Sequence, residues 1–148
     1  MYKSISLILL IIYNLTVSAQ INTYKHINDA NIIATEWLSD VNSGNYEVAY
    51  NLLTNKTKNQ FEKETWIQLM KELMNEFGEL NSREIIDINF KDKVEGLEDG
   101  FYVFIDYECN YKKTKEHTES IILKQNDKTK WEILDYFNWF KEEELSNK

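Results

Sequence analysis

The sequence predicts an α+β domain in which three N-terminal helices pack on one face of a curved four-stranded antiparallel sheet. Two patterns predict it. In the second half, Phe101, Val103, Ile105, Tyr107, Cys109 and Tyr111 alternate with Asp106, Glu108 and Asn110, the period of a strand with one face buried. In the first half, Ala30, Ile33, Ala34, Trp37, Leu38 and Val41 recur at the spacing of a single helical stripe. Helices grouped ahead of strands, rather than alternating with them, give the α+β layer arrangement.

Taken in order, residues 1–19 read as a signal peptide. Lys3 supplies the positive start, Ile5 to Ile12 an apolar run, and Val17-Ser-Ala19 a small-residue cleavage site. Cleavage is expected after Ala19, leaving Gln20 first. The run is interrupted by Tyr13, Asn14 and Thr16 and falls short of the about 20 residues of a bilayer span. No cysteine near the site invites a lipid, and no other stretch could span a membrane. Residues 20–27 are expected to be a lead-in without clear period. The first helix then runs from an N-cap at Asn28 to just before Gly44. A shorter one follows from Asn45, as cap, to about Leu53, offering Tyr46, Ala49, Tyr50 and Leu53 to the core.

Thr57-Lys-Asn-Gln60 and Thr65-Trp-Ile-Gln68 have the form of capping boxes. They suggest a turn of helix and then a longer helix with the stripe Trp66, Leu69, Met70, Leu73 and Phe77, stopped by Gly78. Between Glu79 and Phe90 the period changes to two, with Ile86, Ile88 and Phe90 on one side. Lys91 to Gly100 must turn. Ser120–Leu123 and Trp131–Tyr136 complete the sheet as a hairpin closed by Gln125–Lys130. Trp131 is expected in the core, and Tyr102 and Phe104 on the exposed back. The single domain spans residues 28–140, and 141–148 is an acidic, solvated tail.

Removing residues 1–19 takes away only Lys3 among the charged residues, leaving 16 basic against 25 acidic and a net charge of −9. Nucleic acid and anionic membrane are therefore poor partners, since both need a basic surface. Cys109, the one cysteine, has no partner within the chain for a disulfide, and its place on the apolar row marks it as a buried, inert thiol.

The chain is poor in catalytic motifs: it carries no phosphate-binding glycine loop, nucleophile elbow or HExxH. His26 and His117, in the lead-in and a lysine-rich loop, have no second ligand at metal spacing. Arg83, the only arginine, is suited to a carboxylate, with Glu79 or Glu119 within reach, and is read as closing the corner between the third helix and the first strand. Glu62, Glu64, Glu72 and Glu76 read as a wet helix face. Asp135 is the irregular residue. Strict alternation from Trp131 and Ile133 points it to the core side, so the strand has emerged there, or a bulge turns it outward, or it sits in a polar opening. In the last case Asp135, beside Tyr107 or Tyr111, has a raised pKa and can act as a base or hold a donor group of a ligand. Asp135, Tyr107 and Tyr111 are the candidate ligand-binding residues. No catalytic residue, metal or cofactor is expected.

Several segments, in order and at similar spacing, resemble small exported bacterial proteins grouped as domain of unknown function 4019. They are Ala30-Asn-Ile-Ile-Ala-Thr-Glu-Trp-Leu38 with Gly44-Asn-Tyr46, Gly78-Glu-Leu-Asn-Ser-Arg83, Asp99-Gly-Phe-Tyr-Val103, Glu119 before Ile121, and Trp131-Glu-Ile-Leu-Asp-Tyr136. The resemblance covers about Ala30 to Phe137. It implies a nuclear-transport-factor-two-like, or cystatin-like, cone and assigns no catalytic residue. The chain departs from the pattern at Tyr50, where a tryptophan is expected, and at Asp135, where a glycine is.

These readings favour an exported, periplasmic or extracellular, non-enzymatic module that binds a small apolar ligand or an envelope protein. The alternatives are an isomerase- or dehydratase-like enzyme using a carboxylate inside the cone, with Asp135 or Asp106 as candidates, and a structural protein that self-associates, as a homodimer, through its sheet.

Overall fold

The computed structural model describes residues 2–140, with side chains from Asn22 onward. The protein is α+β: helices α1 (Tyr2–Asn42), α2 (Tyr46–Asn51), α3 (Asn55–Lys58) and α4 (Lys63–Phe77) precede strands β1 (Leu80–Lys91), β2 (Tyr102–Tyr111), β3 (His117–Gln125) and β4 (Trp131–Phe140). The sheet is an antiparallel meander in the order β1-β2-β3-β4. Four helices stand where three were expected, because the turn after Thr54 is a helix in its own right. Among the described residues, no helix is long and apolar enough to cross a membrane.

The α1 stripe forms as its spacing dictates: Ala30, Ala34, Trp37, Leu38 and Val41 are buried, and Ile33 packs at their edge. Asn28 does not cap this helix, which continues unbroken through residues 20–27. No lead-in separates it. On α4, Trp66, Met70 and Phe77 are buried, but Leu69 is 48% exposed, since a helix resting on so few neighbours buries a narrower stripe than its apolar residues offer. Gly78 ends α4 at φ +81, where a Cβ would come within 3.1 Å of Lys113 Cγ.

The caps differ from the sequence reading. Thr54, not Thr57, caps α3 and accepts from Thr57 N at 3.2 Å; α4 starts at Lys63 behind Glu62, so Thr65 lies inside it. Asn45 precedes α2 but donates to Asp40 Oδ1 instead of capping. The β3–β4 hairpin closes as expected, with Asn126 Oδ1 accepting from Lys128 N and Lys130 N at 3.0 Å each.

One face of the sheet meets the helices through Val103, Ile105, Tyr107, Cys109, Ile121, Leu123, Trp131 and Ile133. On β4 the alternation breaks once. Leu123 pairs with Ile133 and Ile122 with Asp135, so Leu134 is an extra residue. Beyond this bulge the faces exchange: Tyr136 turns in opposite Ile121, while Asp135, Phe137 and Trp139 turn out. The same segment is tied along the sheet edge, where Ile133 N donates to Leu52 O (2.8 Å), Thr54 N to Ile133 O (2.9 Å) and Thr57 Oγ1 to Leu134 O (2.6 Å). On the back of the sheet Tyr102 is not exposed. It is 1% accessible, with its hydroxyl donating to Glu98 O at 2.6 Å beneath the loop before β2. Phe104 is half-buried.

Trp131 is 5% exposed and lies in an aromatic group with His26, whose ring stacks on Phe90 at 4.9 Å. Trp131→Ala is expected to cost about 3–5 kcal/mol, read as a lowered denaturation midpoint. A midpoint equal to the parent's would contradict the face assignment of β4.

Candidate functional site

Three polar features stand where a function could reside: a buried charged cluster under the helices, a groove at the hairpin end, and the back of the sheet.

The cluster follows from strand alternation. Arg83 lies opposite Cys109 on β1 and β2, and Cys109 opposite His117 on β2 and β3. His117, Glu119, Ile121 and Leu123 form the inward row of β3, all fully buried. Arg83 reaches across to Glu119 with Nε at 2.9 Å and Nη2 at 2.6 Å from Oε2. The Tyr111 hydroxyl accepts from Arg83 Nη2 at 2.6 Å and donates to Glu119 Oε1 at 2.6 Å, with Asn42 Oδ1 of α1 3.2 Å away. His117 Nε2 stands 3.6 Å from Oε1, too far for a formed hydrogen bond. Phe77 packs over the His117 ring at 4.7 Å.

Burial pushes the Glu119 carboxyl up, but His117, the Arg83 charge and the Tyr111 hydroxyl outweigh it, and its pKa lies below the ordinary value. The carboxyl is therefore ionised at neutral pH. Around it, burial and the Glu119 charge raise the phenols of Tyr111 and Tyr136 and push Tyr107 and Cys109 each up to about 12. Cys109 is thus a buried thiol with no tendency to ionise.

The grooves lie elsewhere. One of about 710 Å³ runs between the α2–α3 segment, residues 97–102 and the β3–β4 hairpin, lined by Thr54, Lys56, Phe101, Lys124, Asn126 and Leu134 among others. Another, of about 510 Å³, lies between the ends of α1 and α4 and is bordered by Asn42. Arg83, Glu119, His117 and the tyrosines of the cluster line neither.

The three candidate residues are not brought together. Tyr107 and Tyr111 face the helices, within the cluster, while Asp135 is exposed on the opposite face. Its Oδ1 accepts from Tyr136 N at 2.9 Å, and partial burial raises its pKa against that bond and the charge of Lys56. Of the placements left open, the bulge is the one found. Arg83 takes Glu119, while Glu79 pairs with Lys112. His117 is not in a loop but opens β3, fully buried. The inward charged residue of this fold is Glu119, and the period-two row His117, Glu119, Ile121, Leu123 is the signal that marks it. Among the described residues no group of histidine, cysteine and carboxylate side chains is arranged to hold a metal.

The family described as Protein of unknown function (DUF4019) matches residues 33–136. The chain belongs to this family. The match begins in α1 and ends at Tyr136, so it takes in Arg83, Tyr111, His117, Glu119 and the β4 bulge. No curated protein and no solved structure matches the chain.

Removing one member of a buried ion pair strands the other, which typically costs about 3–5 kcal/mol. Arg83→Leu is expected to lose that much in chemical denaturation, and Arg83→Leu with Glu119→Leu to recover most of it. A double variant no more stable than Arg83→Leu would show that charge compensation is not what holds the cluster. The pH dependence has a fixed sign. The folded pKa of Glu119 is depressed, so its contribution is fully present above the unfolded value of about 4.3 and is lost as pH falls through the folded value. Acid titration of stability should therefore be steeper for the parent than for Glu119→Gln. Equal slopes would contradict the assignment.

Proposed function

We propose that this protein is an exported, non-enzymatic binding module whose recognition surface lies outside its core and takes a protein partner of the cell envelope or of the medium. The observation that carries the reading is the state of Glu119. An acid–base enzyme on this scaffold needs an inward carboxylate open to substrate with a pKa moved toward neutrality. Glu119 is fully buried, lies outside both grooves, is engaged by Arg83 and Tyr111, and has its pKa moved the other way. Asp135 and Asp106, the carboxylates considered for such a role, belong to the back of the sheet.

Export rests on residues 3–19: a charged start, an apolar run and Val17-Ser-Ala19. Mass spectrometry of the protein recovered from its host's envelope or medium is expected to give a chain beginning at Gln20. A mass retaining Met1 to Ala19 would contradict export by a cleaved signal.

Binding is tested by placing a photo-crosslinking residue in the host protein at Asn55, Asp99, Phe137 or Lys71, one position at a time. A discrete adduct with another polypeptide from the groove or the sheet back, and none from Lys71 on the outer side of α4, is the expected outcome. No adduct from any of these positions would contradict a protein-binding role.

A further inference from the structure

The groove at the hairpin end has walls that the fold holds in place. Gln125 N donates to Phe101 O at 3.0 Å, the Tyr102 hydroxyl to Glu98 O at 2.6 Å, and Thr57 Oγ1 to Leu134 O at 2.6 Å. Its apolar lining is Leu97, Phe101 and Leu134, the last being the residue that the β4 bulge inserts. At about 710 Å³ it has the size of a site for a small ligand or for a few residues of a chain.

The α3 wall carries Asn55 and Asn59, one turn of helix apart. Both are exposed, and among the described residues neither side-chain amide has a partner in the fold. An amide side chain donates and accepts at once, as a peptide main chain does. Four residues of helix rise about 6 Å, and an extended chain presents main-chain groups on one side at every second residue, about 6.6 Å apart. The two amides therefore stand at the spacing of alternate residues of an extended segment. The charges of the lining are of both signs, and Lys124 is already paired with Glu98. A neutral occupant is the one that leaves this pair intact. A sugar is served less well, because its rings stack on open aromatic faces, and here Tyr102 is buried while Phe101 packs on His26 at 4.9 Å and on Phe90 at 5.5 Å.

Resting on the binding-module reading, we propose that this groove is where the partner docks, and that it takes an extended, uncharged segment of the partner's chain. Asn55 and Asn59 hold the main chain of that segment by paired amide hydrogen bonds, and one of its apolar side chains lies on Phe101 and Leu134. Main-chain bonds of this kind supply affinity, and the apolar seat fixes which side chain is accepted.

The probe is a short peptide of alternating serine and leucine, acetylated and amidated so that it carries no charge, titrated into the isotope-labelled full chain and followed by NMR. The same peptide with N-methylated main-chain amides is one control, and a linear glucose oligosaccharide is another. The capped peptide is expected to shift the amides of residues 54–59, 97–102, 124–127 and 132–134, and neither control to shift them. Asn55→Ala with Asn59→Ala should weaken binding about tenfold at an unchanged denaturation midpoint, since neither amide holds the fold. Lys71→Ala, on the outer side of α4, should leave binding unchanged. Affinity unaltered by the double change, or equal binding of the N-methylated peptide, would overturn the proposal. Shifts from the oligosaccharide with none from the peptide would overturn it and mark a saccharide site. Peptide shifts centred on residues 118–120 and 137–139 would overturn the groove as the docking site while leaving the binding-module reading in place. Absence of any peptide shift would overturn the proposal outright, and the crosslinks from Asn55 and Phe137 then decide whether the binding-module reading fails with it.

Discussion

The ion pair between Arg83 and Glu119 is the constraint around which the rest of the protein is arranged. A carboxylate placed in the middle of a sheet, under a helix, is tolerable only if its charge and its lone pairs are met. The lone arginine meets one oxygen with two nitrogens, and Tyr111 meets the other. Asn42, reaching the same hydroxyl from the end of α1, connects the pair to the helix layer. The cluster thereby ties β1, β2, β3 and α1 at a place where simple apolar packing would have tied them less specifically. It also engages the charged groups that face inward on these strands with one another.

The second constraint is the extra residue in β4. By inserting Leu134, the strand turns Tyr136 toward Trp37 and the cluster, and Asp135, Phe137 and Trp139 toward solvent. One local irregularity therefore both completes the core and makes the exposed aromatic shelf. Bulges that re-aim side chains in this way are features of a fold rather than defects in it.

Much of this architecture was legible before the structure, and the parts that were not share a cause. Helical stripes such as Ala30 to Val41 and alternating rows such as Val103 to Tyr111 are local periodicities, and they survive folding because the core needs them. The start of α1 is not legible because Asn28 has the composition of a cap but continues a helix already formed. The burial of Tyr102 is not legible because alternation shows which side a residue takes, not whether a loop returns to cover it. His117 was hidden by the lysines before it, although it opens the inward row that ends at Leu123. The exit of Asp135 was an open alternative, since Ile133 and Leu134 are both apolar and neither marks itself as the inserted residue. Arg83 was legible as a carboxylate partner, and the choice of Glu119 over Glu79 depended on register, which a single sequence does not state.

The proposal of surface recognition rests on an interior whose carboxylate, Glu119, is ionised and engaged by Arg83 and Tyr111. The most direct test is a carbon-detected NMR titration of the Glu119 side-chain carboxyl in the folded protein. The account predicts the chemical shift of a carboxylate throughout the neutral range, with protonation only below the ordinary range for glutamate. Titration near neutrality would contradict it and would place an available acid–base group inside the fold.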